Sequence, residues 1–327
     1  MTDLTKETPI APDLPICDAH HHLWDRPDDR YLVDEFLQDI AGGHNVLKTV
    51  FVGCKTMYRK DGPQEMQSVG ETEFVQSITA PAVSEQHGMT KVANGIVSFA
   101  DLTLGAAVAP VLEAHIVAGK GRFRGIRQVF RWHADTEIGS GVKTPKPLSD
   151  PKLREGFACL EKYGLSFDAW QNHSQLMEMA DLARVFPNTT IVVNHIGGPL
   201  GIGPLGEKHE EVLTEWRHGI TVLADCPNVV IKLGGLGMRG YCFDWHERAN
   251  PPGSVELAEV MAPYYLWCIE RFGVERCMFE SNFPVDKLSY SYTVMWNAFK
   301  HIVKDFSAND QSSLFHDTAV KVYRLTE

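Results

Sequence analysis

A chain of 327 residues, 44% of them hydrophobic, can bury one large core and has about the size of a single barrel domain of roughly 250 residues with insertions. Its 42 acidic against 31 basic side chains give a formal net charge of -11, which argues against a nucleic-acid or anionic-membrane surface and favours a small-molecule partner. The polar, proline-punctuated start from Met1 to Pro15 lacks the apolar core of a signal peptide, and no later run approaches the roughly 18 apolar residues of a membrane span.

A soluble, cytoplasmic protein is therefore expected. The seven cysteines, at 17, 54, 159, 226, 242, 268 and 277, are odd in number and never spaced Cys-x-x-Cys, so reduced and mostly buried thiols are expected.

Along the chain, eight short runs rich in Val, Ile, Leu and Phe alternate with helical stretches: 15–19, 47–53, 92–99, 124–130, 165–170, 190–194, 229–233 and 277–280. Alternation of this kind predicts parallel βαβ units, and eight strands close a (β/α)8 TIM barrel of the α/β class. Helix ends are legible between them. Asp150-Pro151 reads as an N-cap and first helical position, Leu153, Phe157 and Leu160 as the apolar face, and Gly164 as the stop. Ser174 reads as the start of the next helix, and Ser307-x-x-Asp310 as a capping box on a C-terminal helix that covers the barrel. No domain boundary appears, so residues 1–327 are expected to form one domain with a short polar tail. Three long connections, 54–70, 131–149 and 234–254, follow strands and so belong at the catalytic rim.

Chemistry-bearing residues gather at three of the strand ends. Ile16-Cys17-Asp18-Ala19-His20-His21-His22 alternates so that Asp18, His20 and His22 face the barrel axis if the strand is regular, and His21 faces away. Two imidazoles so spaced can ligate one metal or donate to one developing oxyanion. Ile191-Val192-Val193-Asn194-His195 ends another strand in a histidine before Gly197-Gly198, and Cys277 to Asn282 ends the last one with Met278, Glu280 and Asn282 on one face. The loops and rims add candidate substrate contacts in Trp24, Tyr58, Arg127, Arg131, Trp170 and His246. Gly235-x-Gly237-x-x-Gly240 matches a dinucleotide fingerprint, but the following Tyr241 to Glu247 and Pro251-Pro252 do not continue as the helix that a pyrophosphate needs.

The motifs Asp18-Ala-His20-His-His22-Leu-Trp24, Gly125-Ile-Arg127, Asn194-His195-Ile-Gly-Gly-Pro199 and Phe279-Glu-Ser-Asn282-Phe-Pro284 make the chain, from about Leu14 to Leu325, resemble the amidohydrolase superfamily. The branch it resembles includes L-fuconolactonase-like lactonases and 2-pyrone-4,6-dicarboxylate hydrolase. The resemblance implies His20, His22 and His195 as metal ligands or electrophilic donors, Arg127 facing an anionic or carbonyl group, and an aspartate ending the eighth strand. Asn282 stands where that aspartate is expected, and an amide cannot act as a general base.

Three outcomes follow. Glu280, where the family has glycine, supplies the carboxylate to water or metal; Asp286 reaches in from the loop; or His195 is the base with no metal. A structural ion pair between Glu280 and Lys232 is the non-functional alternative. The implied activity is opening of a cyclic ester of a sugar acid or aromatic-catabolism intermediate. Non-oxidative decarboxylation of an aromatic or muconate-like acid and a non-catalytic metabolite-binding barrel are the competing readings. One divalent metal, zinc or manganese, and a metal-free mechanism both stand open, as does self-association into a homo-oligomer. The partner expected is a carboxylate- or carbonyl-bearing small molecule.

Overall fold

The computed structural model describes residues 4–80, 90–135, 138, 140–201, 203–241 and 243–325; Cys242 lies outside them. In chain order the strands are β1 (Ile16–His21), β2 (Trp24–Arg26), β3 (Asp29–Tyr31), β4 (Val46–Val52), β5 (Lys91–Ser98), β6 (Phe123–Val129), β7 (Ser166–Trp170), β8 (Ile191–Val193), β9 (Val229–Leu233) and β10 (Cys277–Phe279). β2 and β3 form a small antiparallel hairpin beside the rim. The other eight are parallel and pair in the order of the chain, so each expected strand is present with its ends within two residues.

The ring is completed between its first and last strands. His20 O accepts from Asn282 N–H at 2.8 Å, and His22 N–H donates to Phe283 O at 2.8 Å. The backbone that carries the β1 histidines is thus also the closing seam of the barrel.

Helices α1 (Val33–Ile40), α2 (Val69–Thr79), α3 (Ala109–Ala118), α4 (Pro151–Lys162), α5 (Leu176–Val185), α6 (His209–Ala224), α7 (Ser254–Phe272) and α8 (Tyr292–Ile302) follow the barrel strands. Their apolar faces bury Phe36, Val75, Leu112, Phe157, Met179, Ile220, Met261 and Trp296 against the outward strand residues Phe51, Ile96, Ile126, Phe167, Ile191, Ile231 and Phe279. Burial of each such side chain contributes about 1.5–3 kcal/mol. A separate apolar cluster fills the ring from Cys17, Ala19, Val50, Val52, Val97, Val192, Val230 and Met278. α4 begins as expected, with Asp150 accepting from Lys152 N–H at 2.7 Å. α5 does not begin at Ser174. Asn172 and Gln175 form the capping box there, and a 3₁₀ turn, His173–Gln175, precedes the helix.

The tail is more broken than one helix. Ser307 caps α9 (Ala308–Ser312), a wide π turn, Ser313–Asp317, follows, and α10 (Thr318–Val322) ends by sending Tyr323 and Leu325 into the interior cluster. Among the described residues all cysteines are free, and no helix is long and apolar enough to cross a membrane.

Candidate active site

Strict alternation fails in β1, with a chemical consequence. Asp18 pairs with Thr49 and His21 with Phe51, so three steps of β1 are matched to two of β4, a bulge of one residue. Ala19 stays in the interior cluster, and His20 lies against His195 inside the ring with centroids 4.7 Å apart. His21 turns outward, 2.8 Å from Thr49 Oγ1 and stacked on Phe36. Asp18, expected on the axis side, instead faces outward: it accepts from Tyr292 OH at 3.1 Å and from Ser281 N–H at 2.9 Å, tying β1 to the end of β10. Bulges of this kind re-aim side chains beside active sites.

Two charged groups of opposite sign hold the inner histidines. His195, at the end of β8 in a left-handed conformation with φ of 52°, is gripped twice by Glu280: Oε1 accepts its backbone N–H at 3.1 Å and lies 2.6 Å from Nδ1. A carboxylate acceptor places the proton on Nδ1 and leaves Nε2 with its lone pair. His20 Nδ1 lies 3.2 Å from Lys232 Nζ. An ammonium can only donate, so that nitrogen accepts and Nε2 of His20 carries the hydrogen. Glu280 Oε2 is also 2.8 Å from His20 Nδ1, but it makes no in-line hydrogen bond and remains bare. His22 Nδ1–H donates to Val52 O at 2.7 Å. Burial lowers the pKa of all three imidazoles and keeps them neutral, the Glu280 carboxylate opposing this at His195 and the Lys232 charge reinforcing it at His20.

Lys232 does not pair with Glu280. Its partner is Asp168 on β7, at 2.9 Å, and that carboxylate also takes Tyr323 OH at 2.8 Å and Asn194 Nδ2 at 3.0 Å. Nor does Asp286 reach into the site. Fully buried, it accepts Asn282 Nδ2–H at 2.7 Å, Tyr290 OH at 2.7 Å and Gly237 N–H at 3.0 Å. Burial lifts its pKa to about 7 against the pull of those three bonds.

Above the histidines opens a cavity of about 530 Å³, lined by His22, His195, Asn282, Trp24, Tyr58, Arg127 and Trp170 among others. All three long connections contribute walls, through Cys54 and Tyr58, Gly141 and Val142, and Met238. Arg127 donates through Nη1 to Gly53 O at 2.8 Å and rests on the Trp170 ring at 4.9 Å, with its Nε–H unpartnered. Trp24 Nε1 and Tyr58 OH are also unpartnered and buried. His20 and Glu280, both fully buried against His195, are not among the lining residues, and neither are Arg131 and His246. Arg131 braces the Trp170 ring and donates to Asn172, while His246 sits beside Glu247.

Sequence reasoning passed over Glu71, a buried carboxylate that accepts from Cys54 N–H, Thr56 N–H and Ser98 Oγ and so pins the loop under Arg127. Its position inside a helix gave no sign of this. The glycine fingerprint has a different explanation: Gly235 has φ of +78°, and a Cβ there would lie 2.5 Å from His195 Nδ1. Glycine is required for the imidazole to lie against that backbone.

A divalent cation fits this donor set. One ligand atom each from His20, His195 and Glu280 lies within 4.8 Å of the others, and His195 Nε2, Glu280 Oε2 and Asn282 Oδ1 are buried acceptors without partners, while His20 Nε2 would have to give up its hydrogen to join them. Two imidazoles and a carboxylate form a familiar zinc ligand set.

Residues 17–325 match the amidohydrolase family model. The chain is 35% identical to the uncharacterized protein y4mH of Sinorhizobium fredii, across 96% of this chain and 99% of that one. It is 26% identical to an L-fucono-1,5-lactonase of Burkholderia ambifaria, over 83% and 81% of the two chains. Among solved structures it is similar to an amidohydrolase of Burkholderia multivorans with bound zinc, with a TM-score of 0.71, 21% identity, and coverage of 95% and 99%. Over nearly its whole length, this chain belongs to the amidohydrolase family, and it is a hydrolase.

Proposed function

We propose that the enzyme opens a lactone, a cyclic ester of a sugar acid or of an aromatic-catabolism intermediate. The observation that carries this reading is the buried His195–Glu280 pair at a cavity wall, a base and its orienting carboxylate beside a second histidine of opposite polarity. The curated lactonase relatives support the choice of bond.

With the lactone in the cavity, Arg127 Nε–H and Tyr58 OH meet its oxygens, and the Trp24 and Trp170 rings pack against its faces. His20 Nε2–H points its hydrogen at the carbonyl oxygen, where negative charge develops as water adds. His195 Nε2 takes the proton from that water, and Glu280 stabilises the imidazolium that results. The same proton then passes to the ring oxygen as the C–O bond breaks, giving a hydroxy acid. A divalent ion, where present, would be held by His20, His195 and Glu280 and would polarise the carbonyl as a Lewis acid in place of the His20 hydrogen, and His195, then a ligand, would not serve as the base.

A panel of sugar-acid and pyrone-type lactones tests this, with ring opening and carbon dioxide followed separately. Ring-opened acid from the wild type, lost in His195→Ala, supports the proposal. Release of carbon dioxide from an aromatic or muconate-like acid would make it a decarboxylase, and tight binding without turnover a metabolite-binding barrel.

A further inference from the structure

Asn282 is 1% exposed, holds φ of 54°, and lies in the cavity wall with Oδ1 unpartnered. A side-chain amide has a donor end and an acceptor end, and which one faces the cavity depends on what the other meets. Here the other end meets Asp286. That carboxylate is surrounded by donors only, from Asn282, Tyr290 and Gly237. The amide nitrogen must therefore face Asp286 and the amide oxygen the cavity.

We propose that Asp286 is a positioning residue that locks Asn282 with Oδ1 turned to the hydrolytic water, and that it is the reason residue 282 is an amide. An aspartate at position 282 would put a second carboxylate at hydrogen-bond distance from a fully buried one, and two such groups share a single proton. The negative charge expected at the end of the last strand has moved outward along the chain, to Asp286, with Asn282 as a neutral spacer. Its Oδ1 can orient water without deprotonating it, which leaves proton removal to His195. The inference rests on the hydrolytic reading of the cavity for its kinetic consequence but not for its geometry.

Exchange of the two side chains tests it. In Asp286→Asn, the new amide keeps its oxygen for Gly237 and Tyr290 and offers its NH2 to Asn282, which must invert and turn its own NH2 into the cavity. In Asn282→Asp, the two carboxylates compete. In the double variant, the amide now at position 286 donates to the carboxylate now at position 282, and an acceptor oxygen again faces the cavity. The expected result is a fall of roughly 10–100-fold in kcat with little change in KM for each single variant, as for other orienting partners. The double variant should recover at least about tenfold over either single. A double no better than the poorer single, or Asp286→Asn at wild-type kcat, overturns the proposal.

The geometry is read separately in protein labelled with ¹⁵N-asparagine, at a pH well above neutral. The Asn282 NH2 should show one proton shifted downfield and protected from exchange, and Asp286→Asn should abolish that signature while melting remains cooperative. If no lactone is opened, this signal still decides: its presence upholds the orientation and its absence sinks it.

Discussion

Glu280 holds His195 by both its backbone and its ring, accepting the N–H at 3.1 Å and lying 2.6 Å from Nδ1. Glu280→Gln keeps an acceptor oxygen at the Oε1 place, shared by the backbone N–H and Nδ1–H of His195, but removes the negative charge that would stabilise the imidazolium. A loss of about 10–100-fold in kcat is expected, the scale for an altered orienting partner, with KM nearly unchanged. Unaltered steady-state kinetics would remove Glu280 from the mechanism.

Lys232 is the counterpart on the other histidine. Lys232→Met leaves Asp168 buried without its cation and should cost about 3–5 kcal/mol in urea unfolding. Combining it with Asp168→Asn should restore part of that stability while activity stays low, because His20 Nδ1 still lacks its donor. Recovery of activity together with stability would show that the lysine only balances charge.

Gly235→Ala tests the contact under the imidazole. Left-handed backbone at φ of +78° and a Cβ 2.5 Å from His195 Nδ1 together imply strain of about 1–3 kcal/mol. Activity should fall much further than the modest drop in melting temperature suggests, because the displaced ring is the proposed base.

Acid should weaken the fold through His115 on α3, which is not one of the residues lining the cavity. Its ring is neutral between Thr72 Oγ1, at 2.8 Å from Nδ1, and Phe99 O, at 3.0 Å from Nε2, and burial lowers its pKa to about 4. The folded value lies below the unfolded one of 6.5. Its contribution is therefore fully present above pH 6.5 and is lost as the pH falls through about 4, on the order of 3 kcal/mol in all. Urea melts across that range, compared with those of His115→Gln, should show the slope reduced in the variant.

The sequence makes some of this legible and conceals the rest for physical reasons. Strand ends announce themselves through apolar runs that stop at a polar residue, and His195 and Glu280 stand out on that ground. The bulge in β1 is hidden, because alternation is the only guide there and one extra residue reverses Asp18 without changing composition. Lys232 lies on an inward position beside Val230, a pattern a core strand shares with a site strand, and its choice of Asp168 over Glu280 depends on which neighbour is closer. Asp286 reads as a reaching carboxylate because proximity in sequence says nothing of direction. Cap geometry at α5 fails for a similar reason: Asn172 and Ser174 are both capable caps, and the 3₁₀ turn decides between them.

Tyr323 is buried beneath the ring, with its hydroxyl on Asp168, so the final turn of the chain is the floor of the catalytic chamber. The C-terminal turn thereby completes the shell of donors around Asp168, the carboxylate that pairs with Lys232 beside His20. Clipping the tail ahead of α10 would open the chamber to solvent from below and release an aspartate on which a distant histidine depends. A protease acting on the last few residues would silence the enzyme without touching its mouth.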